Sequence, residues 1–577
     1  MSYYGHQKYL PKDHKFRKQR KAFDGKEENG QPPKPLSGQE VLARVSCITN
    51  EWEKSKKKNP KASKLESTIA FKKKSIFFDL EYWKYLYVRH CIDVMHVEKN
   101  ICENLVGTIL DISGKSKDEL SARMDLKEMG IRMKLAPQKD VEKTYFLAAC
   151  YNLSKQEKKQ FYITLFKLKV PEGYCSNFRN HVSLEEMKLI SLNSHDCHMF
   201  IQQLLPVAIR GMMPKKVRYA IIKFCMFFNA LCNKVVDVNT LDNIQEELVT
   251  TLCLLEMYFL SAFFDVMVHL TVHLIREVKL CGPVWFWWMY PFERYMKVLK
   301  GYVKKGNNTE GCIAECYVAE KALEYCAEYL KGVKYVRVPL NRNNLSSNDK
   351  GVGAVVIEQV NPKQLNQAHL YVLENTNEGQ QYIDIKVSNN LRWISHSPRQ
   401  EFIKYHGYIV NGVQFHTKMH DDTHCYQNSG VSLVAKTMLV SSAKDKKPIV
   451  ADICFYGIIE DIWLLDYCSF KIPVFKCQWA NFDGGVRVDE LGFTLVDLKR
   501  KGHKNEPFIL ATQAKQVFYV EDPENPKWSC VIVNSHVDYG NIAYDGDESE
   551  LSMGLHFSAK SLPKAKTIDT IEDCWSG

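Results

Sequence analysis

The spacing of apolar residues changes once along this 577-residue chain, and that change constrains the fold more than any other feature. Over residues 75–334 apolar side chains recur every three or four positions, as in Val97, Ile101 and Leu105, which is the period of an amphipathic helix. From residue 405 onward, short apolar runs alternate with turn residues, a pattern typical of strands. The sequence therefore predicts an α+β multidomain protein, in which an all-α bundle is followed by a small antiparallel β domain.

The predicted elements follow from these patterns. Helices are predicted over residues 76–86, 96–110, 142–153, 155–166, 198–210, 215–236, 240–258, 262–279, 291–303 and 313–330. Strands are predicted over residues 454–462, 474–479, 492–497 and 516–520. Asn411-Gly412 stands between two apolar runs, which is a strong signal for a β-hairpin with a two-residue turn. Together the strands favour a barrel or half-barrel.

The 19 cysteines do not indicate a disulfide-stabilised fold. The first residues lack the charged and apolar regions of a signal peptide. Cys225, Cys232 and Cys253 fall within apolar helical patterns, and a chain of this length needs no covalent cross-links. We therefore expect reduced, mostly buried thiols.

The most apolar stretch, residues 252–274, carries four polar residues that are costly in lipid, namely Glu256, Asp265, His269 and His273. We expect a buried helix pair there and no contact with a membrane. The His269-Leu-Thr-Val-His273 spacing also occurs in zinc proteases, but Leu270 replaces the glutamate that follows the first histidine in those enzymes. Histidines packed in a core explain the spacing better.

The positive charge is concentrated near the amino terminus. Residues 1–75 carry 19 lysines and arginines against 8 acidic residues, and this excess of 11 equals the formal net charge of the whole chain, +11. Such a segment binds polyanions through counterion release, and DNA is the expected partner. The alternatives are a solvated tether or a nuclear-import signal. The candidate nucleic-acid-binding residues are Lys15, Arg17, Lys18, Arg20, Lys21, Lys56, Lys57, Lys58, Lys72, Lys73 and Lys74.

Four stretches carry a further pattern. The first is Tyr4-Gly-His-Gln-Lys-Tyr-Leu-Pro, and the second is His90-Cys-Ile-Asp93-Val-Met-His96 with the residues that flank it. The third runs from Ser194-His-Asp-Cys-His to residue 297, and the fourth from Tyr456-Gly-Ile-Ile-Glu to residue 520. Over most of residues 4–335 and 400–530, the chain resembles the carboxy-terminal portion of the transposase of plant CACTA-type (En/Spm-like) elements. The third and fourth stretches look like two domains of unknown function found in these proteins.

The resemblance implies a nuclear protein derived from a cut-and-paste DNA transposase. Such enzymes have an RNase H-like domain whose carboxylates hold Mg²⁺ ions for DNA strand cleavage and transfer. In this pattern Asp93 and His96 match an Asp-x-x-His element, and Glu310 matches the final glutamate better than Glu315 does. The two upstream aspartates are not found in this sequence. We therefore expect no cofactor in this chain and no strand cleavage by it.

Two alternatives stay open. Asp93 can act as a helix cap without any catalytic role. The whole chain can also be a scaffold derived from the element, which binds protein partners or itself without touching DNA.

The resemblance and the change of pattern together predict the domain bounds. They are a basic, largely disordered segment (1–75), a helical remnant of the transposase catalytic region (76–185), a helical transposase-associated domain (186–335), a linker (336–400), a small β domain (401–530) and a mobile tail (531–577).

Overall fold

The computed structural model describes residues 2–48, 73–139, 144–190, 192–304, 306, 308–329, 350–359, 361–376, 397–439, 449–468 and 470–534. The chain divides into two compact units. The first unit comprises residues 1–104, 117–148 and 231–289, and the second comprises residues 105–116, 149–230 and 290–577. All-helical and sheet-containing regions are both present, which confirms the α+β class.

The helices agree with most of the predicted segments. In chain order they are α1 Lys15–Lys18, α2 Gly38–Val45, α3 Val94–Ile109, α4 Leu120–Glu128, α5 Lys155–Lys167, α6 Ser194–Met199, α7 Leu205–Ala208, α8 Lys215–Leu231, α9 Leu241–Tyr258, α10 Val266–Cys281, α11 Tyr290–Tyr302, α12 Thr309–Tyr329, α13 Pro362–Asn375 and α14 Lys418–Thr423. A π-helical turn, Phe200–Leu204, joins α6 to α7. Among these helices, none is both long and apolar enough to cross a bilayer.

Local capping explains where several helices begin. Ser154 and Glu157 form a reciprocal capping box at the start of α5, and Ser37 and Glu40 do the same for α2. Asp265 begins α10 by accepting hydrogen bonds from the backbone N–H groups of Met267 and Val268. These caps satisfy backbone donors that a helix cannot satisfy internally.

Two predicted helices are wrong. Residues 76–86 contain two short 3₁₀ turns, Ile76–Asp79 and Trp83–Tyr85, and no α-helix. Residues 144–145 form a short strand in place of the helix predicted over 142–153. The Asn152 side chain accepts a hydrogen bond from the Ala149 backbone N–H at 3.1 Å, which closes a turn there. An asparagine that bonds to nearby backbone competes with helix formation.

Residues 2–48 differ from the predicted segment without fixed structure. They contain a 3₁₀ turn, His6–Tyr9, followed by α1 and α2. Their apolar side chains are covered: Phe23 is fully buried, and Phe16 and Leu10 are nearly so. The backbone N–H of Tyr3 donates to the Phe264 carbonyl at 2.7 Å, within the same unit. The basic composition therefore coexists with a packed core.

The first unit is built around α9 and α10. Helix α9 is buried along its second half, from Leu248 to Tyr258, except for one half-buried position. The 3₁₀ turn His6–Tyr9 packs against α9. The predicted buried helix pair is thus observed, with the amino-terminal residues covering it.

The second unit contains a large antiparallel sheet. Its strands are β5 Lys350–Gln359, β6 Glu401–Val410, β7 Val413–His416, β8 Gly430–Leu439, β9 Ile449–Asp466, β10 Lys471–Ala480, β11 Val486–Val488, β12 Thr494–Val496, β13 Lys501–Gly502, β14 Phe508–Leu510, β15 Lys515–Glu521 and β16 Ser529–Val533. The first four strands of the chain, β1 Gln138–Lys139 with β2 Thr144–Tyr145 and β3 Val182–Ser183 with β4 Lys188–Leu189, form two separate pairs.

The strand order is β11-β12-β16-β15-β8-β9-β10-β13, with β5, β6, β7 and β14 paired at its sides. Within the described residues β11 and β13 do not pair, so the sheet is not closed into a barrel along this path. The predicted hairpin is confirmed: Val410 faces Val413, and Asn411 and Gly412 both have positive φ, 49° and 77°. Positive φ at both positions is the geometry of a type I′ turn.

The linker predicted over residues 336–400 is wrong for its described part. Strand β5 pairs with β6 over nearly its whole length. Helix α13 places Leu365, Ala368 and Val372 in a buried cluster with Trp463 and other residues of the sheet. The sheet also extends beyond residue 530, because β16 ends at Val533; the rest of the predicted tail, residues 535–577, lies outside the described residues.

The cysteines agree with the predicted free thiols but are not mostly buried, since Cys47, Cys91, Cys326, Cys425 and Cys468 are exposed. All cysteines in the described ranges are free, and Cys225, Cys232 and Cys253 are buried. Burial raises the pKa of the Cys225 and Cys253 thiols well above the usual value.

Candidate functional site

The Asp-x-x-His element lies at the start of α3. The Asp93 carboxylate accepts a hydrogen bond from the His96 backbone N–H at 3.2 Å, which is the contact of a helix cap. The His96 side chain is exposed. The preceding backbone N–H, that of Ile92, donates to the Glu277 carboxylate at 2.8 Å and so fixes the entry into the helix. This geometry favours the capping role that the sequence left open for Asp93.

The predicted final glutamate lies in the second unit, whereas Asp93 and His96 lie in the first. Glu310 is exposed in the first turn of α12. A negative charge there interacts favourably with the positive end of the helix dipole. A structural reason therefore accounts for Glu310 as well.

The buried arginine of the basic segment is the main departure from the predicted DNA-binding set. Arg17 is only 4% exposed. Its guanidinium donates to the backbone carbonyls of Lys8, Leu10, Glu28 and Gly30 at 2.6–3.2 Å. Because four of its five N–H groups are used inside the protein, Arg17 is not available to a phosphate. It holds the amino-terminal segment together instead.

The remaining basic candidates are mostly at the surface. Lys15, Lys18 and Lys21 are exposed on or just after α1. Arg20 is also exposed and forms an ion pair with Glu27 at 2.7 Å. Farther along the chain, Lys73 is exposed and Lys74 lies 3.5 Å from Asp79. The other predicted lysines, Lys56, Lys57, Lys58 and Lys72, lie outside the described residues.

A buried polar cluster in the first unit was not predicted. The His6 ring Nδ1 lies 2.6 Å from the Glu256 carboxylate, and both side chains are almost completely buried. The same carboxylate oxygen accepts the backbone N–H groups of Gly5 and His6 at 2.9 and 3.1 Å. On the other side of the ring, His6 Nε2 lies 3.4 Å from His269 Nδ1. We call His6, Glu256, His269 and His273 the histidine cluster.

Aromatic rings and nearby charges surround the histidine cluster. Tyr3 stacks on His269 with centroids 4.8 Å apart and planes 13° apart. Arg132 donates to the Glu256 backbone carbonyl at 3.2 Å. Burial lowers the pKa of His269 to about 4, with further lowering from His6 and His273. The His269 ring is therefore neutral at physiological pH.

Sequence reasoning missed His6 and Glu256 as partners. A signal was present, because Glu256, His269 and His273 all interrupt the most apolar stretch of the chain. A charged residue in such a stretch needs a partner, but the pattern does not say that the partner is His6, 250 residues earlier.

The second unit contains a buried ion network between its helical part and its sheet. Arg210 follows α7 and forms two hydrogen bonds with Asp522, at 3.0 and 3.1 Å, and another with Asp489. Its guanidinium also lies over the Phe493 ring at 5.0 Å. Burial opposes the charge on Arg210, but the hydrogen bonds to Asp522 and Asp489 outweigh this effect and raise its pKa. The network anchors the chain just after α7 to the sheet.

Three histidines stack at the edge of α14. The rings of His416, His420 and His424 are spaced 3.9 and 3.8 Å apart and lie within 6° of parallel. His416 Nδ1 lies 3.3 Å from the His406 carbonyl, and its Nε2 lies 2.7 Å from the Gln414 amide nitrogen. Burial lowers the pKa of His416, so the buried end of the stack is held neutral.

A cavity of about 490 Å³ lies beside this stack, between the end of α5 and the chain after α14. Three basic residues line it: Lys167, Lys169 and Arg179. Lys169 donates to the Asp421 carbonyl at 2.6 Å, and the Arg179 guanidinium lies 4.8 Å from the centre of the Phe166 ring. Lys167 lies 4.0 Å from the Glu521 carboxylate, so all three cations are engaged with the protein, which favours a structural role.

Three family models match parts of the chain. The transposase family tnp2 matches residues 1–48, which hold α1 and the His6 side of the histidine cluster. A domain of unknown function, DUF4218, matches residues 231–344, which hold α9 and α10. Another, DUF4216, matches residues 463–531 of the sheet. Searches of curated proteins and of solved structures found no match.

Proposed function

We propose that this chain, which the three matches support as a plant transposase-derived protein, associates with DNA through its amino-terminal basic segment and does not cleave DNA strands. The observation that carries the proposal is the exposed lysine surface of Lys15, Lys18 and Lys21 within the tnp2-matching residues. Lysines on one short segment contact successive phosphates without reading base sequence. A nuclear location and an En/Spm-type origin belong to the same proposal.

The rigidity of this segment adds to the argument. Hydrogen bonds of Arg17 and of the histidine cluster hold residues 5–30 in place, so Lys15, Lys18 and Lys21 lie on a segment that is already ordered before it binds DNA. Ordering a flexible segment on binding reduces affinity. A pre-formed cationic surface is therefore a better DNA ligand than a tether of equal charge.

The absence of strand cleavage is proposed on chemical grounds. A two-metal site needs several carboxylates directed at the same ions. Asp93 is occupied as the cap of α3, and Glu310 is accounted for by the dipole of α12. An RNase H-like origin of residues 76–185 is consistent with the Asp-x-x-His pattern and is proposed on that pattern alone.

The DNA-binding test uses three lysine substitutions and a matched control. Lys15, Lys18 and Lys21 are changed to alanine together, and the affinity for a fluorescent duplex is measured at low salt. Losing three phosphate contacts is expected to weaken binding at least about tenfold. The control changes three lysines at the start of α5, Lys155, Lys158 and Lys159. Equal affinity of both variants would refute the assignment of the surface.

The cleavage test uses the same purified chain. We expect intact supercoiled plasmid carrying the element's terminal repeats after incubation with Mg²⁺ or Mn²⁺. Metal-dependent nicking that an Asp93→Asn substitution abolishes would overturn this part of the proposal.

A second candidate function is a protein-interaction scaffold, and one observation favours it. Helix α11 has no buried residue. Four of its exposed side chains are apolar or aromatic and are 45–61% exposed, namely Phe292, Tyr295, Met296 and Val298. Exposed apolar residues at helical spacing typically mark a contact surface. Sedimentation velocity tests self-association: the wild type should sediment as a larger species than a Phe292→Glu variant. If the wild type and the variant both sediment as monomers, this support for a scaffold is lost.

A further inference from the structure

The histidine cluster places two imidazole nitrogens at a spacing that suits a shared metal ion. His6 Nε2 and His269 Nδ1 are 3.4 Å apart. Two imidazole nitrogens on one tetrahedral Zn²⁺, each about 2.0–2.1 Å from the metal, are separated by about 3.3 Å. A hydrogen bond between the two rings is the alternative, but 3.4 Å is longer than the usual range for such bonds.

Glu256 fixes the chemical state of His6. Its carboxylate lies 2.6 Å from His6 Nδ1 and can accept a proton from that nitrogen only, which in the neutral ring leaves the lone pair on Nε2. The lone pair then faces His269. A carboxylate behind the far nitrogen of a histidine is the usual partner of a metal-binding imidazole, because it sets the tautomer and the ring orientation. The two backbone N–H bonds to the same oxygen hold Glu256 in position.

The other oxygen of Glu256 is a buried acceptor that the described residues leave unsatisfied. Glu256 is fully buried, and among the described residues its Oε2 has no hydrogen-bond partner. A buried carboxylate is costly unless a cation or a donor compensates it. A cation on His6 Nε2 would supply that compensation through the imidazole.

His273 can provide a third ligand once its ring turns toward the other two. It lies one helical turn after His269 on α10, and the two rings are 5.2 Å apart and nearly perpendicular, at 87°. Two histidines four residues apart on one helix can bind the same ion. His273 is half-buried, and in the described part of the chain no hydrogen bond holds its ring. Rotation of the His273 side chain would therefore break no hydrogen bond within the described residues.

We propose that His6, His269 and His273 bind one transition-metal ion of the Zn²⁺ type, with Glu256 as the positioning carboxylate. Nitrogen ligands select such ions, whereas Mg²⁺ prefers oxygen. The site is therefore different from the Mg²⁺ site of the ancestral enzyme. It would join the tnp2-matching segment to the DUF4218-matching helices inside the first unit.

The test titrates the metal-stripped full chain with Co²⁺, which reports ligand type by its visible spectrum. The wild type should bind one equivalent with micromolar or tighter affinity and without the near-ultraviolet band of a thiolate ligand. His269→Ala should lower the affinity about 100-fold, and His273→Ala and Glu256→Gln about tenfold or more. His90→Ala, an exposed histidine of the same unit, is the control and should change nothing.

Circular dichroism of each variant separates loss of metal from loss of folding. If His269→Ala does not fold, the affinity of His273→Ala tests the proposal instead. The His273 side chain is only half-buried, so its removal should disturb the fold less. Absence of a bound equivalent in the wild type, a thiolate band, or unchanged affinity in the folded histidine variants would overturn the proposal. The DNA affinity at saturating and at zero metal is measured separately, so the two proposals can fail independently.

Discussion

Removing Asp522 should destabilise the second unit far more than removing a surface carboxylate in the same region. Arg210 is 5% exposed and Asp522 is 1% exposed, so the pair is shielded from water. Breaking a buried pair by deleting one partner typically costs about 3–5 kcal/mol, because the other charge is left uncompensated. Asp489 still bonds to Arg210 in the variant. We therefore expect the lower end, about 3 kcal/mol, for Asp522→Ala.

The matched control is an ion pair across the same two regions. Lys215 at the start of α8 pairs with Glu490, and both side chains are more than 70% exposed. Exposed pairs contribute about 0–1 kcal/mol. Glu490→Ala should therefore change the free energy of unfolding by less than about 1 kcal/mol, although it also removes one carboxylate.

Hydrogen exchange provides the assay, because it measures the opening of individual elements. The amides of β15 and β16 flank Asp522 and should exchange about 100-fold faster in Asp522→Ala, the rate equivalent of about 3 kcal/mol. A double variant, Arg210→Met with Asp522→Leu, should recover much of the loss, since apolar groups of similar size can replace a buried pair. Equal effects of Asp522→Ala and Glu490→Ala would refute the reasoning.

Three further predictions concern other contacts. Arg17→Lys should make the amino-terminal segment more sensitive to chymotrypsin, since a lysine cannot bond to four carbonyls; the exposed Arg20→Lys is the control and should be unaffected. Gly430→Ala should cost about 1–3 kcal/mol in urea unfolding, because its Cβ would collide with the Val517 carbonyl; wild-type stability would contradict this. The pKa of His416 is lowered in the folded chain, so the unfolded chain binds the proton first as pH falls below about 6.5. The free energy of unfolding should therefore decrease as pH falls, and it should decrease less steeply in His416→Gln. Equal pH slopes of stability in the two proteins would contradict this.

Elements with strong local signals were predictable. The type I′ hairpin followed from Asn411-Gly412, since few residues other than glycine and asparagine accept positive φ. Helix α5 was predicted to within one residue, because its capping box and apolar period are both local. In such cases the residues that decide the conformation are only a few positions apart.

Strand β5 shows why the linker was predicted wrongly. Val355, Val356 and Ile357 are 39–68% exposed, so the strand has no buried face to create an alternating pattern. It is held by backbone pairing with β6, about 50 residues later, for example Lys350 with Ile409. Backbone pairing of this kind leaves little trace in side-chain composition.

The position of the basic residues was readable from the sequence, but their surroundings in the fold were not. The sequence showed where positive charge accumulates, and Lys15, Lys18 and Lys21 are indeed exposed. It gave no sign that Arg17 is buried, because carbonyl acceptors are present at every residue and cannot be recognised by type. For the same reason His6 and Glu256 could not be paired before the fold was known.

The salt dependence of DNA affinity tests the central claim most directly. For a phosphate-bound protein, the logarithm of the affinity falls linearly with the logarithm of salt concentration, by about 0.9 for each phosphate neutralised. The wild type should therefore show a steep slope, and the Lys15, Lys18 and Lys21 alanine variant should show a slope shallower by about 2–3. A flat wild-type slope, or the same steep slope in both proteins, would contradict DNA binding through this surface.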